Sequence, residues 1–372
     1  MKVMYMIQGE GRGHLTQAIA VDRILRKSGH KSVCAIIGRP DNKSLPDYVL
    51  PQLPSETHIL KAPGFVSLNN GTGISISKSI LHNLRHAPKY HKVLQVIQDL
   101  VERHEPDLIL NFYDPLCALW QTFFNRGRIP IACIGHQYMM LHPDYQAHKG
   151  FGLASSFMEL YTDFTSAHAD ITLALSFKPY PNSRHVQVIP PLLRNWVAGP
   201  PDIHNNEVLA YMVYPGFQEQ VLEWSKRNPE YMINVFTDKP LKDTARVHFF
   251  LPDHTAFMQA MRRCSYYITT AGFESVCEAH YLGKSIFMVP LKGQYEQSAN
   301  AREAVELGIA KQGKGFDTFV PGPFPNTSDV ITFRKWVDSA EEVFLSALYS
   351  LDIDQQIPGK LPAHALSAHA VI

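Results

Sequence analysis

Short apolar segments alternate with amphipathic segments along most of the chain. Segments such as PDLILNF at 106–112 and IPIACIG at 129–135 are mostly apolar, which is typical of strands buried on both faces of a parallel sheet. The same pattern predicts further strands at 2–7, 31–37, 169–175 and 185–189, and helices at 14–27, 89–104 and 153–167. This order of strands and helices predicts a doubly wound α/β sheet.

The alternation stops in the segment 191–206, which is rich in proline, glycine and asparagine, and then resumes. We therefore expect two Rossmann-like α/β domains, at 1–190 and 207–332, that face each other across a cleft, with 191–206 as the linker. The pattern at 333–350 predicts one more amphipathic helix, and we expect residues 352–372 to form a frayed tail. In the second domain, strands are predicted at 207–214, 231–237, 246–251, 265–270 and 284–290, and helices at 218–227, 255–264, 274–282 and 296–308.

Composition excludes several classes of protein. With 35 basic and 34 acidic residues the net charge is +1, which gives no electrostatic basis for binding nucleic acid. The five cysteines are widely spaced and form no C-x-x-C pair, which argues against a disulfide framework and against zinc. The N-terminal apolar run is too short for a signal peptide, and no run approaches the roughly 18 residues of a membrane helix. We expect a cytoplasmic protein.

The first predicted strand ends in a glycine turn, GEGRGHLTQA at 9–18. Its glycines stand at Gly9, Gly11 and Gly13. A dinucleotide-binding fingerprint, G-x-G-x-x-G, would need a glycine at position 14, where this chain has His14. The turn therefore departs from the NAD(P) pattern at one of its defining positions.

A second turn with candidate chemistry lies in the stretch 266–310. A predicted strand runs into Gly272, and a helix follows, so that free backbone N–H groups at the helix start suit a phosphate. One turn into this helix, the carboxylate of Glu278 could accept two hydrogen bonds from a ribose diol. The alternative is that Glu274 and Glu278 are solvated residues on a helix face.

Polar residues also cluster where the next helix begins. The strand 284–290 ends in Pro290, and Glu296, Gln297 and Asn300 follow it. They lie at the carboxyl edge of the predicted sheet, where ligands of α/β domains bind. Simple capping of the helix is the alternative interpretation.

In order and spacing, this stretch resembles the donor half of GT-B glycosyltransferases of the kind that includes MurG and the UDP-glucuronosyltransferases. In those enzymes, a small residue and a glycine are followed by a glutamate and then by a strand that ends in proline. The pairs Asp/Glu-Gln and Asn-Ala come after that strand. The opening turn, which ends in Gly-His, is similar to theirs and still more to a group of predicted bacterial and archaeal glycosyltransferases. The residues that match the donor pattern here are Gly272, Glu278, Pro290, Glu296, Gln297, Asn300 and Ala301.

The resemblance implies roles for these residues. The turn at Gly272 would receive the diphosphate, Glu278 would hold the ribose, and Glu296 and Gln297 would bind hydroxyls of the donor sugar. The nucleobase would rest on backbone near 250–253, and Glu278 would face the empty cleft, so that its loss would leave folding intact. The implied donor-binding residues are Gly13, Phe250, Leu251, Gly272, Phe273, Glu274, Glu278, Glu296, Gln297 and Asn300.

The resemblance also implies that His14 is the general base that takes the proton of an acceptor hydroxyl. A histidine that merely caps its helix is the alternative. Asp114, at the end of a predicted central strand, is the candidate that orients His14, although it could equally cap the helix that begins at Pro115. We expect loss of activity in acid with a midpoint near pH 6.5, unless Asp114 raises the pKa of His14. His136 is a further candidate for acceptor contacts.

These expectations define an inverting glycosyltransferase with a nucleotide-sugar donor, most simply UDP-linked. Neither a cofactor nor a metal is implied, because the only D-x-D lies in the tail at 352–354. The helix in 333–351 would cross back to the first domain. The family's second glycine-rich loop is reduced to Gly216, which we do not assign. The alternatives are an epimerase or hydrolase of nucleotide sugars with the same fold, an NAD(P)-dependent oxidoreductase, and a non-catalytic nucleotide-sugar sensor.

The acceptor is expected to meet the segment 64–92, which is partly apolar and rich in lysine, arginine and histidine. Because this region of GT-B enzymes sometimes lies at a membrane surface, a lipid or glycan acceptor and a peripheral contact with the inner face of the membrane are open possibilities. A solvated helix face is the alternative.

Overall fold

The computed structural model describes residues 1–39, 45–64, 76–125, 127–147, 149–197, 204–212 and 215–351. Within them the chain forms two parallel sheets, and every strand pair is parallel. The strands of the first sheet are β1 Lys2–Gln8, β2 Lys31–Arg39, β3 Thr57–Lys61, β4 Leu108–Phe112, β5 Ile131–Gly135, β6 Ile171–Leu175 and β7 Gln187–Ile189. Its helices are α1 Gly13–Lys27, α2 Ile76–His104, α3 Pro115–Trp120 and α4 Leu153–Ser166.

The second sheet repeats this arrangement further along the chain. Its strands are β8 Glu207–Tyr211, β9 Met232–Phe236, β10 Val247–Phe250, β11 Tyr266–Thr269, β12 Ser285–Met288 and β13 Ala310–Gln312. The helices are α5 Gln218–Arg227, α6 His254–Arg263, α7 Phe273–Tyr281, α8 Tyr295–Glu306, α9 Thr327–Asp338 and α10 Ala340–Tyr349. The prediction of two α/β domains is confirmed.

Strand order places a crevice at the centre of each sheet. The first sheet is ordered β3-β2-β1-β4-β5-β6-β7 and the second β10-β9-β8-β11-β12-β13. The direction of strand addition therefore reverses between β1 and β4 in one sheet and between β8 and β11 in the other. In doubly wound sheets, ligands bind outside the carboxyl ends of the strands at this point.

The first strand shows why the chain adopts this fold. All residues from Val3 to Ile7 are fully buried, because helices cover both faces of the sheet. Side chains of one face pack with α1, and those of the other face pack with α2 and α3. An unbroken apolar run can be stable as a strand only in such a two-sided layer.

The structure contains elements that the hydrophobic pattern did not predict. The edge strands β3 and β13 are short and half exposed, so they carry no apolar run. The predicted helix at 89–104 begins earlier, at Ile76, and runs through Pro88. The single helix predicted at 333–350 is wrong, because α9 and α10 meet at Ser339.

The last two helices contact both halves of the molecule. Trp336 Nε1 donates to the Ser176 carbonyl beyond β6, and Lys27 of α1 forms an ion pair of 2.8 Å with Glu341 of α10. Arg334 Nε donates to the Tyr281 carbonyl at the end of α7. In the part of the chain that the structure describes, no helix has both the length and the apolarity needed to cross a bilayer. The tail at 352–372, and 198–203 of the expected linker, lie outside the described residues.

Candidate active site

A cavity of about 430 Å³ lies between the two sheets, at the carboxyl ends of their central strands. The loops that follow β1, β4 and β5 form one wall, and the end of β8 with the loops that follow β10, β11 and β12 forms the other. Two positions in these loops adopt the left-handed backbone region, with φ of 61° at Tyr113 after β4 and 72° at Ala271 after β11. Such strain costs roughly 1–3 kcal/mol per residue and concentrates at functional sites.

His14 begins the wall of the first domain. It lies in the first turn of α1, is 7% exposed, and stacks on Tyr113 with ring centroids 5.6 Å apart. Its Nδ1 lies 3.3 Å from Gln17 Oε1, and its Nε2 lies 3.5 Å from Gln137 Nε2. Burial lowers the pKa of His14 to about 4, because the charged ring would lose its hydration.

Each glutamine beside His14 is held by a carboxyl group of the second domain. Gln17 Nε2 donates to Glu274 Oε1 in a short contact, and Gln137 Nε2 donates to Glu296 Oε1 at 2.9 Å. Removal from bulk water raises the pKa of Glu274 to about 8. The ring of His14 is therefore bracketed by two hydrogen-bonded pairs that join the domains.

The turn into α7 forms the opposite wall. Gly272 is the N-cap residue and lines the cavity with Phe273, Glu274 and Ser275, so that the first backbone N–H groups of α7 stand at its surface. The left-handed residue of this turn is Ala271 and not Gly272, whose φ is −72°. Asn300 Nδ2 donates to the Ala271 carbonyl at 3.0 Å and fixes the turn from α8.

Two arginines that the sequence analysis did not select line the same cavity. Arg12 Nη1 donates to the Tyr211 hydroxyl at 3.0 Å, and its closest carboxylate, Asp238, is 4.0 Å away. Arg194 lies between the two sheets, over the ring of Trp196. The sequence feature that could have indicated a role for Arg194 is its charge within a proline-rich segment.

Glu278 does not face the cleft as expected. It is 1% exposed, and its two oxygens accept from Arg194 Nε and Nη2 at 2.6 and 2.5 Å. Arg194 stands between this carboxylate and the cavity. The expectation that loss of Glu278 would leave folding intact rested on an exposed carboxylate; we now expect destabilisation, because its removal would leave a buried guanidinium without its ion-pair partner.

Asp114 does not orient His14. It is fully buried as the N-cap of α3, where its oxygens accept from the backbone N–H groups of Leu116 and Gly38 at 2.7 and 3.0 Å. Burial raises its pKa to about 7, which the backbone donors partly oppose. The capping role that the sequence left open is the one observed, and the partner of the His14 ring is Gln17.

The other predicted residues fall into two groups. Gln297 accepts from the Leu291 N–H, Asn300 supports the turn into α7, and neither lines the cavity. Phe250 ends β10 and Leu251 follows it, just before the wall formed by Pro252, Asp253 and His254, and neither lines the cavity. The predicted residues that do share the cavity are Gly13, His14, His136, Gly272, Phe273, Glu274 and Glu296.

His136 packs between the domains. Its ring stacks on Phe273 at a centroid distance of 3.9 Å, Nδ1 contacts the Leu175 carbonyl, and Nε2 lies 3.4 Å from Glu303. Burial alone would lower its pKa, but the Glu303 carboxylate outweighs burial and raises it. The expected acceptor segment, 64–92, is described only in part: residues 65–75 lie outside the described residues.

Comparison with known proteins agrees with this geometry. A family model described as glycosyl transferase family 1 matches residues 1–320. The chain is 23% identical over 342 residues to an uncharacterized glycosyltransferase of Methanosarcina mazei, covering 84% of this chain and 86% of that protein. The two solved structures described next are 12% and 16% identical to this chain, so they indicate the fold alone.

Two solved structures illustrate the similarity of fold. One is Phytolacca americana UGT2 complexed with UDP-2fluoro-glucose and pterostilbene, with a TM-score of 0.60 and 12% identity, covering 94% of this chain and 99% of that one. The other is Acinetobacter baumannii MurG, with a TM-score of 0.55 and 16% identity, again covering 94% and 99%. With the family model spanning both sheets, the chain belongs to glycosyl transferase family 1 and is a glycosyltransferase of the GT-B fold.

Proposed function

We propose that the enzyme transfers a sugar from a UDP-linked donor to an acceptor hydroxyl in one displacement that inverts the anomeric centre. The observation that carries the proposal is the position of His14, at the cavity wall opposite the start of α7. With a base on one wall and an anion-binding helix terminus on the other, the acceptor hydroxyl can attack one side of the anomeric carbon while the diphosphate departs from the other side.

In this reaction the acceptor oxygen forms a bond to the anomeric carbon as the bond between that carbon and the diphosphate oxygen breaks. The hydroxyl proton passes to His14 Nε2, and UDP leaves with the electron pair of the broken bond. Low pKa at His14 limits its strength as a base, but it keeps the ring neutral and able to accept a proton at ordinary pH.

The donor diphosphate would bind at the N-terminus of α7, where Gly272 leaves the backbone accessible. Arg12 and Arg194 line the same cavity and could offset negative charge that develops on the leaving group. This supply of positive charge supports a metal-independent mechanism. A UDP-linked donor is supported by the similar fold of a plant enzyme solved with UDP-2fluoro-glucose.

The test is to separate transfer from donor binding in a His14→Ala variant. Loss of a general base is expected to lower the transfer rate about 10²–10⁴-fold, while calorimetry gives a UDP affinity near that of the wild type. His248→Ala, a half-exposed histidine outside the cavity, is the matched control and should keep both properties. Transfer at the wild-type rate by His14→Ala would contradict the proposal.

The donor and the reaction type are tested with a panel of nucleotide sugars. Binding to the folded state raises the unfolding temperature by an amount that grows with the ratio of ligand concentration to Kd, so thermal shift at one fixed concentration ranks the donors, with NAD(P) as the negative control. Product analysis then distinguishes transfer to an added lipid or glycan hydroxyl from epimerisation or release of free sugar. Turnover of the donor without need of any acceptor would favour the epimerase or hydrolase alternative.

A further inference from the structure

The buried ring of His14 has a defined partner at each nitrogen, and these partners decide which nitrogen carries the proton. Gln17 Oε1 lies 3.3 Å from Nδ1, and an amide oxygen can only accept, so Nδ1 must carry the hydrogen. Gln137 Nε2 lies 3.5 Å from His14 Nε2, and an amide nitrogen can only donate. Both contacts favour the tautomer in which Nε2 presents its lone pair.

The orientation of Gln17 is itself fixed from the second domain. Its NH₂ group faces Glu274 Oε1, and the ionised carboxylate, present above its pKa of about 8, can only accept. If the Gln17 amide rotated by half a turn, its oxygen would face that carboxyl oxygen and its NH₂ group would face Nδ1. Glu274 therefore determines which atom Gln17 presents to His14.

The close approach of α1 and α7 makes this contact possible. Gly13 precedes His14, and a Cβ at this position would lie 3.7 Å from Glu274 Cγ, in van der Waals contact. Gln17 lies one turn beyond Gly13 on α1 and is 3% exposed, so its side chain has little freedom to turn elsewhere. Glu274 stands in the first turn of α7.

We infer that Gln17 and Glu274 are positioning residues that fix the tautomer of His14, so that the base is oriented only when the donor domain lies against the acceptor domain. The inference rests on the proposed role of His14 as a base, and it adds two residues that act through His14. A carboxylate beside the histidine is not needed in this arrangement, because an amide held by the opposite domain replaces it.

The direct test measures the tautomer above the Glu274 pKa of about 8, where that carboxylate is ionised, by ¹⁵N NMR of the full-length protein with labelled histidine, using His14→Ala to assign the His14 signals. The wild type is expected to show protonated Nδ1 and unprotonated Nε2. Gln17→Leu should shift the population towards protonated Nε2, and Glu274→Leu should shift it in the same direction. Gln294→Leu removes another glutamine of the same cavity that does not contact His14, and should leave the tautomer unchanged.

A double-mutant comparison tests whether Glu274 acts through Gln17. Gln17→Glu supplies a carboxyl group that would share a proton with Glu274; once Glu274→Leu removes that neighbour, both of its oxygens only accept, so it should hold Nδ1–H without help from Glu274. In that background, Glu274→Leu should no longer change the tautomer. An unchanged tautomer in Gln17→Leu, or an equal effect of Glu274→Leu in both backgrounds, would overturn the inference.

Kinetics provide the second readout. Gln17→Leu is expected to lower kcat by a smaller factor than His14→Ala does, with the KM for the donor unchanged, because Gln17 acts on the base and not on the nucleotide. If the tautomer behaves as described but His14→Ala still transfers sugar normally, the positioning stands and the proposed function fails. If the tautomer does not respond but His14→Ala abolishes transfer, the proposed function stands and the positioning role of Gln17 and Glu274 fails.

Discussion

At the scale of single residues, burial decides the pH at which His14 can accept a proton. The ring is buried beside Tyr113 and two glutamines, and no carboxylate among the described residues contacts it, so its pKa falls to about 4. The sequence alone led us to expect a midpoint near 6.5, because an exposed histidine titrates there and the burial of this ring could not be anticipated.

The first prediction concerns the pH profile of transfer. Since a lower pKa keeps the ring neutral to lower pH, kcat/KM should hold as the pH falls below 6.5 and decline with a midpoint near 4 on account of His14. Glu274 and Glu296, the carboxyl groups that hold the two glutamines beside this ring, have pKa values raised by burial, to about 8 for Glu274, so protonation of Glu274 should add a smaller, separate loss of rate near pH 8. The profile of kcat should lie at higher pH, because a bound diphosphate favours the imidazolium.

Initial rates across pH 3.5–8, with circular dichroism to verify that the protein stays folded, give the measurement. A midpoint of kcat/KM at or above 6.5 would show that His14 is more hydrated, or closer to a negative charge, than its contacts indicate.

The second prediction concerns the buried ion pair of Glu278 and Arg194. Glu278→Ala should lower the free energy of unfolding by roughly 3–5 kcal/mol, since it leaves the guanidinium uncompensated. Glu105→Ala, which removes the exposed partner of Lys2, should cost less than about 1 kcal/mol. Denaturant unfolding of both variants is the measurement, and equal losses would contradict burial of the pair.

UDP calorimetry on the same variants tests the ribose role that the resemblance implied. Glu278 can meet a ribose only if Arg194 releases it. A folded Glu278→Gln variant that binds UDP as the wild type does would assign Glu278 to holding Arg194 alone.

At the scale of elements, apolar runs determine what a sequence reveals. The central strands and the helices between them could be predicted because two-sided burial requires continuous apolar segments. The side chains of the edge strand β3 are half-buried or exposed, and β13 has only three residues, so neither strand contains a continuous apolar segment. The resemblance of the opening turn singled out His14, but Gln17 and Glu274 are 257 positions apart, and only the packing of the two domains brings them together.

The third prediction concerns the start of α3. Asp114→Ala should destabilise the protein by roughly 2–4 kcal/mol, because it removes an N-cap and leaves the buried N–H of Gly38 unpaired. Asn326→Ala, at the exposed N-cap of α9, should cost about 1 kcal/mol or less.

Asp114→Asn keeps an acceptor at this position, so its transfer rate per folded molecule should equal that of the wild type. A large loss of rate with unchanged stability would instead return Asp114 to the catalytic role that its sequence position first indicated.

At the scale of the whole molecule, the C-terminal helices tie the two halves together. The side chain of Phe344 in α10 is fully buried in a core that contains residues of both sheets. The fourth prediction is that Phe344→Ala lowers the free energy of unfolding by about 3–5 kcal/mol. Tyr349→Ala removes a half-exposed aromatic residue from the same helix and should cost much less. Calorimetric scans of both variants would show it, and comparable losses would mean that α10 packs only loosely.

The pairing of Arg194 with Glu278 also constrains how this enzyme can be recombined with its relatives. Arg194 precedes β8 along the chain, yet its guanidinium pairs with a carboxylate of the second domain. A chimera joined after position 197 would part the arginine from its carboxylate, whereas a junction between β7 and Arg194 would transplant them as a unit. Because α10 contacts Lys27 and His30, its sequence should come from the parent of the first domain. An exchange of the second domain that keeps these contacts therefore needs two crossovers, one just after Ile189 and one near Ser339.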